Sequence, residues 1–226
     1  MRSGSSAHVD MRSSLTGTFL HASALFAKRA CNIESANQNS IEEDLRVEHQ
    51  GAVLAAIMQA VASLEAEIYE VLVHGPGHHR GSNGLDTEAQ KFLSPMIDLI
   101  DSEEILERYS LVLHLLKKKP LPRSNTIWEH TLLLVRLRNS VVHYKSRWNS
   151  EVESTKLLTS LKGLRHAKPP FVSENSSFFP RQCLSAACAR WAARSALSFL
   201  NAFYANLGFP DRFMYIENKF SVILPP

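Results

Sequence analysis

The sequence has little of what builds a disulfide scaffold, a metal site or a membrane span. It contains three cysteines among 226 residues, at spacings unlike those of metal ligands, and these are Cys31, Cys183 and Cys188. An odd, sparse set of this kind is typical of reduced thiols, so we expect a cytoplasmic protein. No apolar run reaches about eighteen residues, and we therefore expect no membrane span.

Glycine and proline are also scarce, at 9 and 10 residues, and they cluster in a few places. Most of the chain is therefore free to form long helices. Hydrophobic residues make up 45% and charged residues 21% of the composition, as is ordinary for a folded soluble protein. The length suits one domain and is short for two, so we expect a single domain over residues 1–226.

The amino-terminal region lacks the order of a secretory signal peptide. Its moderately apolar stretch, residues 15–27, is followed rather than preceded by the positive charges of Lys28 and Arg29. We interpret this stretch as mature sequence. The residues before it are small and polar, and we expect residues 1–14 to be flexible.

The periodicity of apolar residues predicts an all-α chain. A first helix is expected from Thr16 to Ala30. In the second, from Glu42 to His74 with Ser40 as its cap, apolar residues recur every seven positions, as in a helix packed in a bundle. Further helices are predicted from a cap at Asp101 or Ser102 to Leu116, over residues 127–148 after a cap at Ser124 or Asn125, near Leu157, and over residues 182–206.

The connections between these helices are polar or rich in glycine and proline. We expect loops at residues 75–95 and 165–181 and a short extended tail from Phe213 to Leu224. Three histidines lie in or beside the first loop, at His74, His78 and His79. Because no cysteine or paired carboxylate accompanies them, no metal site is predicted. The expected architecture is an antiparallel helical bundle with irregular loops.

Charge is distributed unevenly along the chain. Residues 33–73 contain eight acidic residues against the single base Arg46, whereas residues 111–148 contain eight basic residues against the single acid Glu129. Two solvated helix faces that attract each other explain this pattern. A positive patch that draws a polyanion such as RNA explains it equally.

The basic helix after Asn125 has two contrasting sides. Arg136, Asn139, His143 and Arg147 are spaced by three or four, which places them on one polar, positive stripe. The opposite side is an apolar arc that consists of Leu133, Leu134, Leu137, Val141 and Tyr144. The pattern alone is equally that of a solvated outer face.

Arg138 fits neither side of this helix. Its neighbours on the helix surface are apolar, so its guanidinium points towards the apolar side or its margin. An unpaired charge there is costly, and Arg138 must therefore reach a carboxylate or serve an anionic ligand. Glu65, on the long acidic helix, is one possible partner.

The string Arg138-Asn139-Ser140-Val141-Val142-His143 resembles the motif of the HEPN family, in which a polar residue usually follows an arginine and a histidine follows four to six positions on. The earlier helix is also similar to that family over residues 60–68. The resemblance extends over about residues 15–208, with these two segments as its distinctive parts. Some members carry a tyrosine two residues after the histidine, whereas Tyr144 follows directly here, and we assign it no role.

The resemblance implies an all-α bundle of HEPN type and a metal-independent endoribonuclease without cofactors. It implies that His143 takes the proton from a ribose 2′-hydroxyl or gives one to the leaving 5′-oxygen. Arg138 then binds the scissile phosphate, and Asn139 holds the imidazole or contacts the phosphate. Contacts to the RNA backbone are expected from Arg136, Lys145 and Arg147.

The resemblance further implies a homodimer in which two copies of the motif face one cleft. On an ideal helix, Arg138 and His143 lie roughly 140° apart. Either Arg138 reaches around its own helix, or a second subunit completes the site. Members of the family often act as toxins or in defence against phage, so a cognate antitoxin or another defence-system protein is an expected partner, together with RNA and not a membrane.

Two other functions compete with the ribonuclease. A HEPN-like bundle without cleavage activity could bind RNA or nucleotides or serve as a protein-interaction module, because a fold is often kept while its site changes function. A helical DNA-binding regulator is the other class. No compact helix-turn-helix pair is evident near either terminus, which disfavours it.

Overall fold

A computed structural model describes residues 14–77, 87–144 and 155–224, and these are all-helical, without a β-strand among them. The all-α prediction is therefore confirmed for these ranges. They contain α1 (Thr16–Ala36), α2 (Glu43–His74), α3 (Thr87–Leu93), α4 (Ile97–Asp101), α5 (Ile105–Leu115), α6 (Thr126–Val142), α7 (Lys156–Gly163), α8 (Ala186–Leu207) and α9 (Met214–Ile223). A single 3₁₀ turn, Ser94–Met96, joins α3 to α4, and an irregular helical turn, Phe178–Gln182, precedes α8.

The core forms where α1, α2 and α8 pack together. Alanines on the facing sides of all three helices are fully buried and let the backbones approach closely. The Ser23 hydroxyl donates a hydrogen bond to the Ala56 carbonyl across the first pair, 2.8 Å away. The bundle is not uniformly antiparallel. α1 runs antiparallel to α2, whereas the start and the end of α2 lie beside the start and the end of α8, so these two run in the same direction.

Capping groups explain where the principal helices begin and end. The Asn125 side chain accepts a hydrogen bond from the Ile127 N–H at 3.0 Å, so of the two caps predicted for α6 the asparagine is the one used. Ser185 accepts one from the Cys188 N–H at the start of α8. Gly208 ends α8 with φ 99°, in the left-handed region that favours glycine.

Several predicted boundaries were wrong. Helix α1 continues to Ala36, because Ile33 is also buried on the bundle. Helix α2 is capped at Glu42 rather than Ser40. The helix predicted from a cap at Asp101 or Ser102 is α5, which begins later, after a cap at Glu104, because Asp101 is the last residue of the preceding α4. Helix α6 ends at Val142, before the predicted residue 148, and residues 145–150 lie outside the described ranges.

Two segments predicted to lack helix contain one. The first expected loop, residues 75–95, includes α3, which is held because Leu93 is fully buried and Gln90 donates a hydrogen bond to the Val73 carbonyl at 3.0 Å. The expected extended tail is α9, which buries Ile216 and Phe220 one turn apart. The second expected loop, residues 165–181, is irregular up to the turn before α8. Residues 1–14 were expected to be flexible, and all of them except Ser14 lie outside the described ranges.

Within the described residues, α2 is long and apolar enough to cross a membrane by length and composition. More than half of its most apolar stretch is buried against the rest of the chain, as in the core helix of a soluble protein. The buried hydrophobic side chains of all the major helices form one contiguous cluster. Helix α2 is thus the central element around which the others are arranged.

Candidate functional site

The motif residues lie at the carboxyl end of α6. Arg138 and Asn139 belong to the last two turns, and His143 is the first residue beyond the helix, where its N–H donates a hydrogen bond to the Asn139 carbonyl at 2.9 Å. The sequence predicted His143 inside a longer helix. Its imidazole is exposed and makes no hydrogen bond, ion pair or ring contact with the described residues. Both ring nitrogens are therefore available to a ligand.

Arg138 points away from this imidazole towards α2. Its guanidinium forms an ion pair with the Glu65 carboxylate, which is the partner that the sequence suggested. The arginine side chain is 20% exposed and the glutamate side chain 49% exposed. The Nε of Arg138 is buried and has no hydrogen-bond partner among the described residues. Of the two alternatives for Arg138, the structure contains the structural ion pair.

The polar stripe of α6 is exposed as predicted for its described members. Arg136 and Asn139 are exposed together with His143, and the Ser140 hydroxyl donates to the Arg136 carbonyl at 3.0 Å. The remaining predicted RNA contacts, Lys145 and Arg147, lie outside the described residues. The structure thus brings three predicted site residues onto one surface and leaves Arg138 on a neighbouring one.

A second carboxylate on α2 is paired in a different environment. Glu67 is fully buried and accepts a hydrogen bond from the Tyr204 hydroxyl at 2.5 Å. Its Oε1 lies 3.4 Å from Nε of Arg212, which precedes α9. Burial, and then the neighbouring Glu67 carboxylate, raise the pKa of Tyr204 well above its ordinary value. This cluster links α2, α8 and the carboxyl-terminal segment through buried polar contacts.

Sequence reasoning missed a buried histidine–carboxylate pair at the other end of α2. His49 is 1% exposed, and its Nε2 lies 2.8 Å from Oε1 of Glu34 on α1. The same oxygen accepts a hydrogen bond from the Ala186 N–H at 2.8 Å. His49 borders a cavity of about 620 Å³ that Arg46 and Arg181 also line. No spacing could have revealed it, because the three groups come from three separate helices.

Within the described part of the chain, no group of three or more histidine, cysteine, aspartate or glutamate side chains could hold a metal ion. No family model, curated protein or solved structure matches this chain. The HEPN resemblance therefore rests on the residues of α2 and α6 alone, and the activity that it implies stays a prediction.

Proposed function

We propose that this chain is a metal-independent endoribonuclease of HEPN type, with an active site composed from two copies of the chain. The observation that carries the proposal is the exposed imidazole of His143, which has no partner in the described structure and follows Asn139 by one turn. The exposed Arg136 lies on the same stripe and supplies positive charge.

The reaction that suits these groups uses the RNA itself as the nucleophile. His143 removes the proton of a ribose 2′-hydroxyl, and the 2′-oxygen attacks the adjacent phosphorus. The bond from phosphorus to the 5′-oxygen breaks, and the histidine of the second copy donates a proton to that oxygen. The products are a 2′,3′-cyclic phosphate and a 5′-hydroxyl. DNA lacks the attacking hydroxyl and is not cleaved.

Arg138 can serve this reaction if RNA displaces Glu65 from its guanidinium. The Glu65 carboxylate is half-exposed, and ion pairs at that exposure contribute only about 0–1 kcal/mol. A phosphate of bound RNA can therefore take its place, with two oxygens facing the guanidinium fork. Arg138 would then stabilise the charge that develops on the phosphate in the transition state. Lys145 and Arg147 remain proposed backbone contacts.

A line of exposed apolar side chains along α2 supports the proposal that a second copy of the chain packs against this helix. Val47, Met58 and Tyr69 are 60%, 37% and 56% exposed, and their spacing of eleven residues places them on one line of the helix, with a drift of about 20° per step. A side chain added at Gly51, on the same line, would meet open space. Glu65 lies between the last two of these exposed residues. A second copy packed on this line would bring its own residues to the ion pair of Arg138.

The first experiment is cleavage of end-labelled single-stranded RNA in EDTA by the full chain, with the cyclic phosphate identified by its resistance to phosphatase. We expect His143→Ala to abolish cleavage. His114→Ala, which removes another exposed helical histidine, is the matched control and should cleave normally. Equal cleavage by wild type and His143→Ala contradicts the proposal.

Mixing subunits tests the composite site. If each site needs a histidine from both copies, excess His143→Ala chain should suppress wild-type cleavage, because most wild-type subunits then sit in inactive heterodimers. Light scattering establishes the dimer in the same samples. Activity per wild-type subunit that stays constant during this titration would rule out the composite mechanism.

The ion pair of Arg138 favours one alternative, a HEPN-like bundle that binds RNA or nucleotides or serves as a protein-interaction module without cleavage. In that case Arg138 is a structural residue. The proposed cellular role of the enzyme is that of a cytoplasmic toxin or anti-phage effector, held inactive by an antitoxin or another defence-system protein. Growth arrest on expression, relieved by Arg138→Ala without loss of the folded protein, is the expected outcome.

A further inference from the structure

A cavity of about 420 Å³ lies between the first half of α6, the amino-terminal half of α8 and the segment that follows α7. The side chains that bear on its chemistry are His130, His166, Arg190, Trp191, Arg194 and Ser198. His130 precedes Arg138 by eight residues, which is about 12 Å along α6. The cavity is therefore separate from the proposed cleavage site.

The lining of the cavity carries cationic groups and no acidic side chain among the described residues. Arg190 and Arg194 are one turn apart on α8 and face it together. Arg194 is anchored by donating a hydrogen bond to the Leu224 carbonyl at 2.5 Å. Arg190 makes no hydrogen bond or ion pair with any described residue, so its whole guanidinium is available to a ligand.

Two further polar groups at the cavity lack partners. The Nε1 of Trp191 and the Nε2 of His166 are buried from solvent without a hydrogen-bond partner in the described structure, and the Trp191 side chain is only 9% exposed. An indole N–H can only donate. Leaving a buried group of this kind unsatisfied costs about 1–3 kcal/mol, which a ligand with acceptor atoms would recover.

The His166 imidazole lies in the same positive environment. Burial, then the nearby His130 and Arg190, lower the pKa of His166 below its ordinary value of 6.5. The rings of both histidines also lie against the Trp191 indole, with centroids 6.1 Å away for His130 and 5.6 Å away for His166. A bound anion would offset the repulsion between Arg190 and a charged His166, and would therefore favour the imidazolium form of His166.

We propose that this cavity binds the phosphate group of a small phosphorylated molecule. A dianion with several acceptor oxygens suits the free Arg190 fork, the unsatisfied Trp191 N–H and the two imidazoles, whereas a single carboxylate would leave donors unused. The volume falls within the range of about 300–1,000 Å³ for small-molecule sites. The Trp191 and Ile127 side chains supply the apolar wall for the organic part of the ligand.

Calorimetric titration of the full-length His143→Ala chain tests the proposal, because cleavage then plays no part in the signal. The probes are sulfate, inorganic phosphate and a nucleoside monophosphate, each at up to millimolar concentration. We expect all three to bind and Arg190→Gln to weaken binding at least about tenfold, as the loss of a charged hydrogen bond predicts. Arg181→Gln, which alters an exposed arginine at the other cavity, is the matched control.

The three probes distinguish the source of the phosphate. A nucleotide that binds more tightly than inorganic phosphate supports the organic ligand, while equal affinities would assign the cavity to the free oxyanion and overturn the organic part. Trp191→Phe keeps the ring but removes the N–H, and it should weaken all three probes. Absence of binding by every probe, or equal affinity in Arg190→Gln, would overturn the proposal, whatever the outcome for RNA cleavage.

Sulfate allows the pH dependence of binding to be measured without a change in the charge of the probe, because sulfate stays a dianion between pH 5 and 8, whereas phosphate takes up a proton in this range. Its affinity should rise as the pH falls, since the His166 imidazole becomes charged beside Arg190. Because the pKa of His166 is lowered in the free chain, its part of the rise continues below pH 6.5. His166→Gln should weaken this pH dependence, and a dependence equal to that of the wild type would contradict the assignment of this ring.

Discussion

Helix α2 presents two glutamates to two arginines, and the two ion pairs differ in almost every respect. Glu65 and Glu67 are two residues apart, which places them about 200° apart around the helix. The Glu67 side chain is fully buried, is hydrogen-bonded by Tyr204 and is paired with Arg212. The Glu65 side chain is half-exposed and pairs with Arg138 alone among the described residues.

The comparison shows how burial decides what the same chemical pair can do. A buried pair with further hydrogen bonds has no water to replace a lost partner, so it holds the fold together. The half-exposed pair can exchange one anion for another at little cost. The Arg212 guanidinium is also packed 4.6 Å from the centroid of the Phe213 ring, which restricts it further. Of these two pairs, the Glu65–Arg138 pair is therefore the one suited to ligand exchange.

The largest expected effect comes from breaking the buried pair. Arg212→Met leaves the Glu67 carboxylate uncompensated in the core, and we expect it to lower the free energy of unfolding by about 3–5 kcal/mol. Denaturation by urea measures the loss. Arg138→Met is the matched control, because the same substitution at the half-exposed pair should lower it by less than about 1 kcal/mol. Similar losses in both variants would contradict the comparison.

The next effect concerns activity. We expect Arg138→Gln to slow RNA cleavage about 10²-fold or more, because the amide cannot supply the charge that stabilises the transition state. The thermal midpoint should barely move, since the ion pair contributes little to the fold. Turnover at saturating RNA separates this loss from weaker binding. A large fall in stability with unchanged cleavage would make Arg138 a structural residue instead.

Tyr204→Phe should have an intermediate effect on stability. It removes the hydroxyl that donates to Glu67, and we expect a loss of about 1–3 kcal/mol in the free energy of unfolding. The pKa of Tyr204 is raised in the folded state, so the folded chain holds this proton where the unfolded chain has lost it. Stability should therefore fall as the pH rises above about 10, the ordinary value for tyrosine.

The variant should weaken that alkaline loss but not remove it, because burial, and then the Glu67 carboxylate, also raise the pKa of Tyr109. Urea denaturation of wild type and Tyr204→Phe at pH 8 and at pH 10.5 provides the measurement. The double variant Tyr109→Phe/Tyr204→Phe should lose less stability between these two conditions than either single variant. Parallel losses in all the chains would show that neither tyrosine titrates as proposed.

The two ion pairs were not equally predictable from the sequence. Arg138 has apolar neighbours on its own helix, and that local pattern was enough to require a partner and to suggest Glu65. Glu67 was counted only as one member of an acidic stretch. Its partner Arg212 lies 145 residues further on, just before the tail that was predicted to be extended from Phe213 to Leu224. Contacts at such separations depend on how the helices pack, and the local periodicity of the sequence carries no information about that packing.

Because only local periodicity can be recognised in the sequence, some helices were predicted and others were not. Helices α2 and α8 are long, so the repetition of apolar residues is visible several times and their centres were predicted correctly. Helix α3 has seven residues, too few for its period to be recognised. Helix α9 carries aromatic residues that are compatible with an extended segment. Burial of Leu93 and Phe220 against the bundle, rather than local preference, makes these two segments helical.

The site was predictable to the extent that it lies within one helix. The exposure of Arg136 and Asn139 follows from their spacing. The end of α6 at Val142 does not, because no glycine or proline marks it and apolar residues continue beyond it. The cavity beside Trp191 was also beyond reach of the sequence, since its histidines come from α6 and from the segment after α7.

The smallest expected effect is the most informative about the half-exposed pair. If Arg138 exchanges Glu65 for an RNA phosphate, the carboxylate competes with RNA for the guanidinium. Glu65→Gln should therefore tighten RNA binding, by up to about fivefold for a pair that contributes about 1 kcal/mol. Fluorescence anisotropy with a labelled RNA in the His143→Ala background measures this affinity without cleavage.

Glu48→Gln is the matched control, because Glu48 forms an exposed ion pair with Arg29, outside the proposed site. Both substitutions remove one negative charge from α2, so a general electrostatic gain would appear equally in each and would decline in parallel with added salt. A gain confined to Glu65→Gln, and abolished by Arg138→Gln, is what direct competition requires. Weaker RNA binding by Glu65→Gln would mean that the carboxylate positions Arg138 for the phosphate instead of competing with it, and the exchange step would have to be abandoned.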